Sequence, residues 1–420
     1  MNILLVHQYY QEKNDSGGLR WNEMTRIWAE KGHTITVIAG MTHYTKGLKN
    51  VRYKKKYFFT DQFAENIKVI RTHVSEKYNR NYTGRIWAYF SFVFSSLYAG
   101  MIKARERYDV IIVSSPPLSV GIPAYILSRF KRIPLIFEVR DLWPESAIET
   151  GILKNKFLIR RAYWFESFIY KKAKLINVLT PSFTEALLTK KNVPINKLIM
   201  IPNAADFSMS DELLQNFDRK KLRQSLGIDE KLVIIYVGAH GVANHLIQII
   251  ETCDILRNEP VHFLLVGDGM EKKYLMEEAS KRNLPNLTFI DSVSKTEALK
   301  YIIASDIGTS VLKKTDTFKT VYSNKTFDYM SCKKPILMAI DGISKELIEQ
   351  SGAGLFVEPE QPDDFAAKVR IYLQQPELIS IQGNKGYTFA KQHFDRITLA
   401  NEYLNHIEHL VNKTNTSKQI

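Results

Sequence analysis

Short β-branched runs alternate with helix-length amphipathic stretches along the whole 420-residue chain, and this alternation constrains the fold more than any other feature. It is the pattern of parallel sheets joined by crossover helices. Strand candidates in the first half are Ile3–His7, Thr34–Ala39, Lys68–Thr72, Val110–Ser114, Leu135–Val139 and Leu175–Leu179. In the second half they are Val233–Val237, Val261–Val266, Leu287–Ile290, Asp306–Val311, Ile336–Ala339 and Gly354–Val357. Runs such as LVIIYVG and FLLVG are almost continuously apolar, as strands covered by helices on both faces are. The series restarts near Leu232, after the polar, turn-rich PNAADFSMSDELLQNFDRKK. This predicts an α/β protein of two Rossmann-like doubly wound domains, 1–205 and 206–393, followed by a segment 394–420. Two such sheets facing across a cleft would bind ligands at their C-terminal strand edges.

Charge is unevenly placed. Residues 1–200 hold 32 Lys and Arg against 15 Asp and Glu, or +17; the remaining 220 hold 26 against 29, or −3. A basic half suits anionic headgroups, a pyrophosphate-bearing acceptor or nucleic acid, although lysine also serves solubility alone. The two cysteines, Cys253 and Cys332, form no C-x-x-C pair, which supports neither a zinc ribbon nor a disulfide framework and fits a reducing cytoplasm. The opening MNILLVHQYY reads as a first strand, not a signal peptide. Ile86–Ile102 is 17 residues without a charge, at the short limit for a span. It fits a core helix or one lying in the membrane interface. Nearby, Lys46 to Lys56 carries six basic residues and no acid before Tyr57, Phe58 and Phe59, a composition suited to the headgroup layer.

Four stretches carry candidate chemistry. Gly17-Gly18 follows the first strand and opens a helix, where free amides favour phosphate; an ordinary loop fits equally. Gly267-Asp268-Gly269 ends a buried strand without completing G-x-G-x-x-G, because Lys272 stands in the third glycine's place. It offers a wall for a base or ribose, or a simple tight turn. In YSNKTFDYM, Ser323 or Asn324 can cap a helix whose first turn brings Lys325 beside free amides. Asp328 follows one turn on, placed to accept from ribose hydroxyls, or to form a surface pair with the lysine. In IFEVRDLWPES, Glu138, Arg140, Asp141 and Glu145 lie at and just beyond a buried strand's end, as cleft residues or as structural ion pairs. No D-x-D occurs, and His240/His245 and His406/His409 lack a completing ligand set, so no metal is expected. A site that binds a diphosphate without a metal must neutralise it with Lys, Arg and helix N-termini.

In order along the chain, HQYY…SGGLRWNEM, SSPPLSVGIPAY, FEVRDLWPESAIETGILKN, IPNAAD, YVGAHGVANHL, FLLVGDGMEK and SNKTFDYMSCKKPIL resemble the family-4 retaining glycosyltransferases of the GT-B fold. The nearest likeness is to the O-antigen and capsule subgroup of WbuB-like L-fucosamine transferases. The resemblance implies a UDP-sugar donor and a polyprenyl-diphosphate-linked saccharide acceptor. It also implies work at the cytoplasmic leaflet, as a peripheral protein on an anionic lipid surface. Gly17 and Gly18 match the loop that meets the donor phosphate, and Arg20 joins them as a candidate substrate contact. Gly267, Asp268 and Gly269 match the nucleotide-side turn, Val293 the position that meets the base, Lys325 the phosphate-binding lysine and Asp328 the ribose carboxylate; Asn324 stands beside them.

Arg140 and Asp141 would line the acceptor and donor-sugar region, with Glu145 near. A final helix, about Phe394–Val411, would cross back onto the first domain. The chain departs from the family pattern in three places. Asp replaces Glu at 328, and Thr320 stands where a sugar-binding glutamate is expected. His240 and Asn244 replace an Arg and Lys, so neutralisation would lean on Lys325 and His240. Two rivals remain: a UDP-sugar 2-epimerase of similar architecture, against which the basic aromatic segment argues, and a basic binding protein, although no nucleic-acid motif is present.

Overall fold

The computed structural model describes residues 1–12, 20–42, 49–77, 82–149 and 153–419. Gly17, Gly18 and Lys46 lie outside them. The chain forms two compact units, one of 1–12, 19–202 and 397–420, the other chiefly 203–396.

The first unit contains Asn2–Val6 (β1), Thr34–Gly40 (β2), Phe58–Ala64 (β3), Ile67–Thr72 (β4), Val110–Ser115 (β5), Leu135–Val139 (β6), Leu175–Val178 (β7) and Leu198–Met200 (β8). Among the described residues they pair in the order β3-β4-β2-β1-β5-β6-β7-β8. All pairs are parallel except β3 with β4. The apolar runs explain the centre: Ile3 to Val6 and Val110 to Val113 are fully buried, as parallel strands between two helix layers must be. Two strands escaped the sequence reading. The aromatic Tyr57–Phe59 segment, expected at a headgroup layer, leads into the antiparallel edge strand β3, whose inner and outer residues alternate and which bulges between Gln62 and Ala64. β8 is three residues long, too short to show a period.

The second unit contains Leu232–Val237 (β9), Val261–Val266 (β10), Leu287–Ile290 (β11), Ile307–Val311 (β12), Ile336–Ala339 (β13) and Gly354–Phe356 (β14), all parallel, in the order β11-β10-β9-β12-β13-β14. Strand order reverses between β9 and β12, and between β1 and β5 in the first unit. Ligands of doubly wound sheets bind at such switch points, outside the carboxyl ends of the strands.

The helix Arg396–Gln419 packs on the first unit. Trp28 donates its indole N–H to Ala400 O at 2.8 Å, and Trp21, Trp28 and Tyr403 pack with ring centroids about 6 Å apart. Within the second unit, Asn203–Arg396 closes on itself where Ala205 and Asp395 form a parallel bridge and Arg396 donates to Ala204 O at 2.7 Å.

Candidate functional site

In the second unit the switch point is held open by one tyrosine. β9 and β12 share register only at Ile234↔Ile307 and Ile235↔Gly308. Beyond that, the Tyr329 hydroxyl accepts from Val237 N at 3.0 Å and donates to Thr309 O at 3.1 Å, replacing the missing ladder. Gly308 makes room for it, since a Cβ there would lie 2.3 Å from the Tyr329 ring. Tyr329 therefore fixes the helix Asn324–Ser331, and Lys325 lies one turn earlier on the same face.

Lys325 is pressed into this gap. Its Nζ stands 4.6 Å from the centroid of the buried Tyr236 ring and 3.5 Å from Ser323 Oγ. Gly238 is needed here: a Cβ would come within 3.0 Å of Lys325 Cε, at a φ of +148°. Burial pushes the Lys325 ammonium down to about 8, with Asp328 partly opposing it. Ser323 occupies the N-cap position, but its side chain makes no capping bond. The cap expected from Ser323 or Asn324 is therefore corrected: the Ser323 hydroxyl faces Lys325, and Asn324 is an exposed first helical residue.

The glycine turn closes the floor. Gly267, at φ +151°, would place a Cβ 1.9 Å from Gly238 O, and Gly269 one at 2.4 Å from His240 O. Backbone bonds tie the two loops, with His240 N donating to Asp268 O and Glu271 N to His240 O, both at 2.9 Å. Asp268 itself is exposed and accepts from Gly269 N at 2.8 Å. Val293 is half-buried in the loop between β11 and the Ser294-capped helix Lys295–Ala304. Asp328 is joined to Lys295 Nζ at 2.5 Å while keeping a fifth of its side chain exposed. The Asn244 side chain reaches the Tyr236 hydroxyl. Thr320 spends its hydroxyl on Thr317 O at 2.7 Å.

His240 requires a correction. Its side chain is fully buried, and burial, with Lys272 and Lys325 nearby, pushes its imidazole down to about 4. At neutral pH it is uncharged, so it cannot help neutralise a diphosphate as a cation. Among the described residues neither ring nitrogen has a hydrogen-bond partner, which leaves a neutral donor and acceptor beside the glycine turn.

In the first unit, His7 follows β1 and is buried; burial and the nearby Arg140 charge hold its imidazole well below the usual range. Arg140 and Asp141 follow β6 and are half-buried. Asp141 accepts from Ser146 Oγ at 2.7 Å, yet burial, with Glu145 and Glu149 near, pushes its carboxyl up to about 6. Glu145 pairs with Lys191 at 2.5 Å, and the same ammonium meets the buried Glu166 at 2.7 Å.

Arg20, expected at substrate, is corrected to a structural role. Its side chain is 2% exposed and forms an ion pair with Glu138 at 3.0 Å, while donating to the carbonyls of Ile201 and Pro202. Glu138, also placed at a cleft edge by the sequence reading, is fully buried and accepts from Ser114, Asn177 and Arg20. A buried carboxylate must be paired, and this one binds β5, β6 and β7 to the first helix.

Sequence reading missed Gly238, Tyr236, Tyr329, Lys295 and His7. Gly238 ends the LVIIYVG run and was visible as a strand-end glycine; the others take their roles from partners far along the chain, as Tyr329 does from Val237, 92 residues away, and His7 from Arg140. Among the described residues no group of three or more His, Cys, Asp or Glu could hold a metal ion.

Comparison with known proteins agrees with this architecture. Residues 17–204 match the family model of the glycosyl transferase 4-like domain, and residues 218–389 that of glycosyl transferases group 1. WcaI of Escherichia coli (strain K12), a glycosyl transferase assigned to colanic acid biosynthesis, is 22% identical over 97% of this chain and 100% of its own. The alpha-D-kanosaminyltransferase of Streptomyces kanamyceticus is 22% identical over 60% of this chain and 65% of its own. Among solved structures, Anabaena Alr3699/HepE in complex with UDP-glucose superposes with a TM-score of 0.71 at 16% identity, covering 97% of this chain and 100% of that one. WaaG, a glycosyltransferase involved in lipopolysaccharide biosynthesis, superposes with a TM-score of 0.69 at 14% identity, covering 97% and 99%. With a 4-like domain followed by a group 1 domain, each built on a parallel Rossmann-like sheet, the chain belongs to the family-4 type glycosyltransferases of the GT-B fold.

Proposed function

We propose that this glycosyltransferase moves a hexose or N-acetylhexosamine from a UDP-sugar, with retention, to a polyprenyl-diphosphate-linked saccharide. The product would enter a bacterial surface polysaccharide such as O-antigen, capsule or exopolysaccharide. Within the family the reading favours the WbuB-like subgroup, acting at the inner face of the cytoplasmic membrane and without a resident metal. The observation that carries it is Lys325, held against Tyr236 and Gly238 at the switch point of the second sheet, where a doubly wound fold binds its ligand. The UDP and UDP-glucose complexes of the Anabaena neighbour, and the polysaccharide pathways named for WcaI and WaaG, support the donor and the product class.

In this mechanism the glycosidic bond to the diphosphate lengthens first, and negative charge grows on the departing phosphate. Lys325 stabilises that charge, a role the resemblance also gives the Gly17-Gly18 loop, while the Gly267–Gly269 turn forms the floor beneath the nucleotide. Asp328 holds the ribose through its free lone pairs, Val293 meets the base, and His240 offers an uncharged hydrogen bond. The departing phosphate assists the incoming acceptor hydroxyl on the same face. Arg140 and Asp141 orient the acceptor.

The test is a panel of UDP-sugars supplied with a polyprenyl-diphosphate saccharide in excess EDTA, alongside donor alone. Transfer that survives chelation is expected. Dependence on a divalent ion, or an epimerised sugar from donor alone, would overturn the reading.

A further inference from the structure

Lys325 and Asp328 stand one turn apart on the same face of Asn324–Ser331, the spacing at which a lysine and an aspartate ordinarily meet. Acids placed one turn from a lysine elsewhere in this unit do bond it: Glu278 with Lys281 at 2.7 Å, Glu297 with Lys300 at 2.5 Å and Asp316 with Lys319 at 2.9 Å. Asp328 does not. Its Oδ1 takes the ammonium of Lys295 at 2.5 Å, from a different helix and 33 residues away, and each side chain keeps a fifth of its surface exposed. Lys325 is left over the Tyr236 ring with the Ser323 hydroxyl near its Nζ, and among the described residues no carboxylate pairs with it.

Lys295 is the first residue of Lys295–Ala304, whose start is fixed by Ser294 accepting from Glu297 N at 3.3 Å. A cation gains nothing at that end of a helix, because it lies beside the positive pole of the peptide dipoles. The bond to Asp328 offsets this, and it ties the helix that follows Val293 to the helix that carries Lys325.

Without Lys295, the Asp328 carboxylate would have Lys325 to turn to. The titratable groups near Lys325 are Tyr236 of β9, His240 of the loop after it, and Asp328 and Tyr329 of its own helix. Near Asp328 they are Lys295, Lys325, Tyr329 and Cys332. Burial keeps the two tyrosines and Cys332 protonated and His240 neutral. Among the described residues Asp328 is therefore the one carboxylate whose field reaches Lys325.

We propose that Lys295 is a positioning residue of the donor site: it holds the Asp328 carboxylate away from Lys325, so that the Lys325 ammonium meets the diphosphate unpaired. An aspartate bonded to Lys325 would offset the charge that the departing phosphate needs. That Lys325 meets a diphosphate is taken from the function proposed above; that Lys295 restrains Asp328 is independent of it.

The experiment follows the Lys325 Cε signal by NMR in the full chain labelled at lysine, assigned by its loss in Lys325→Met and titrated from neutral pH upward. It is repeated for Lys295→Met, Lys295→Arg, Asp328→Asn and Lys295→Met/Asp328→Asn. Wild-type Lys325 should titrate near 8, and Lys295→Met should move it to about 9 or above, because a carboxylate closing on an ammonium favours the charged form. Lys295→Arg should stay with the wild type. In the Asp328→Asn background Lys295→Met should not raise the Lys325 titration. UDP affinity by calorimetry, and kcat/KM with the donor and acceptor of the panel above, should each fall roughly tenfold or more in Lys295→Met at neutral pH. That loss should vanish once Asp328→Asn is present, and Lys295→Arg should recover most of it. A merely structural role would lower both backgrounds alike and leave the Lys325 titration where it is.

A Lys325 titration unmoved by Lys295→Met, or an equal loss in both Asp328 backgrounds, would overturn the proposal. A titration that moves up while UDP affinity and transfer hold supports the restraint by Lys295 and removes Lys325 from the diphosphate instead.

Discussion

Replacing Lys325 with methionine keeps an unbranched stem and removes the ammonium, so it separates charge from bulk. Two effects of opposite sign follow. Burial pushes the ammonium from its ordinary 10.5 to about 8. At ~1.36 kcal/mol per pH unit, keeping it charged at neutral pH costs the fold at most ~3 kcal/mol. Partial exposure of the side chain reduces this, and a stability gain of ~1–2 kcal/mol is expected for Lys325→Met at pH 7. Between the two values the unfolded chain holds a proton that the folded chain has lost, so wild-type stability rises with pH across that window, from about 8 to 10.5. The methionine variant lacks this rise.

Catalysis moves the other way. Loss of a strong contact to the leaving diphosphate should cost ~2–4 kcal/mol in kcat/KM, roughly 30- to 1,000-fold. The charged fraction in the free enzyme is about ten to one at pH 7 and reversed at pH 9, so the two proteins should converge in rate as pH rises. Urea unfolding and steady-state kinetics of both proteins at those two pH values make the test. A variant that is less stable at pH 7, or one that keeps wild-type kcat/KM, would refute the placement of a charged Lys325 at the departing phosphate.

Arg20→Met should cost ~3–5 kcal/mol in chemical denaturation, because it leaves the fully buried Glu138 without its counter-charge. Unaltered stability would return Arg20 to the candidate substrate contacts. Gly267→Ala should destabilise by ~2–3 kcal/mol and weaken UDP binding in a thermal-shift titration, since its Cβ would overlap Gly238 O at a φ of +151°. Gly227→Ala is the control, at φ +65° with nothing within 4 Å of its Cβ, and should cost only ~1–2 kcal/mol with UDP binding intact.

The alternation of apolar runs was enough to read both sheets, because parallel strands buried on two faces must be apolar along their whole length. The twelve strand candidates coincide with twelve of the strands. β3 was not read because an edge strand half-exposed to water carries FFTDQFA, which has no continuous apolar run, and β8 because three residues show no period. Lys325 and the glycine turn were legible for a related reason. A strand end, a glycine and a helix start are local features, and a doubly wound fold puts all of them at the ligand edge.

What a side chain does with its charge was not local. Arg20 and Glu138 are 118 residues apart, Glu145 and Lys191 are 46, and Lys295 and Asp328 are 33. From the sequence each of these acids and bases could have faced a ligand. The fold spends Arg20 and Glu138 on each other, engages Glu145 with Lys191, and leaves Lys325 in a tight gap against Tyr236 with, among the described residues, no carboxylate bonded to it. Burial likewise turned His240 from a possible cation into a neutral ring. The uncharged helix is the same case. Its composition follows from sequence, but which rings pack and which face water depends on where neighbouring helices lie. Periodicity acts over a few residues and therefore determined the architecture; desolvation and ion pairing act across the packed interior, and only the tertiary structure decided them.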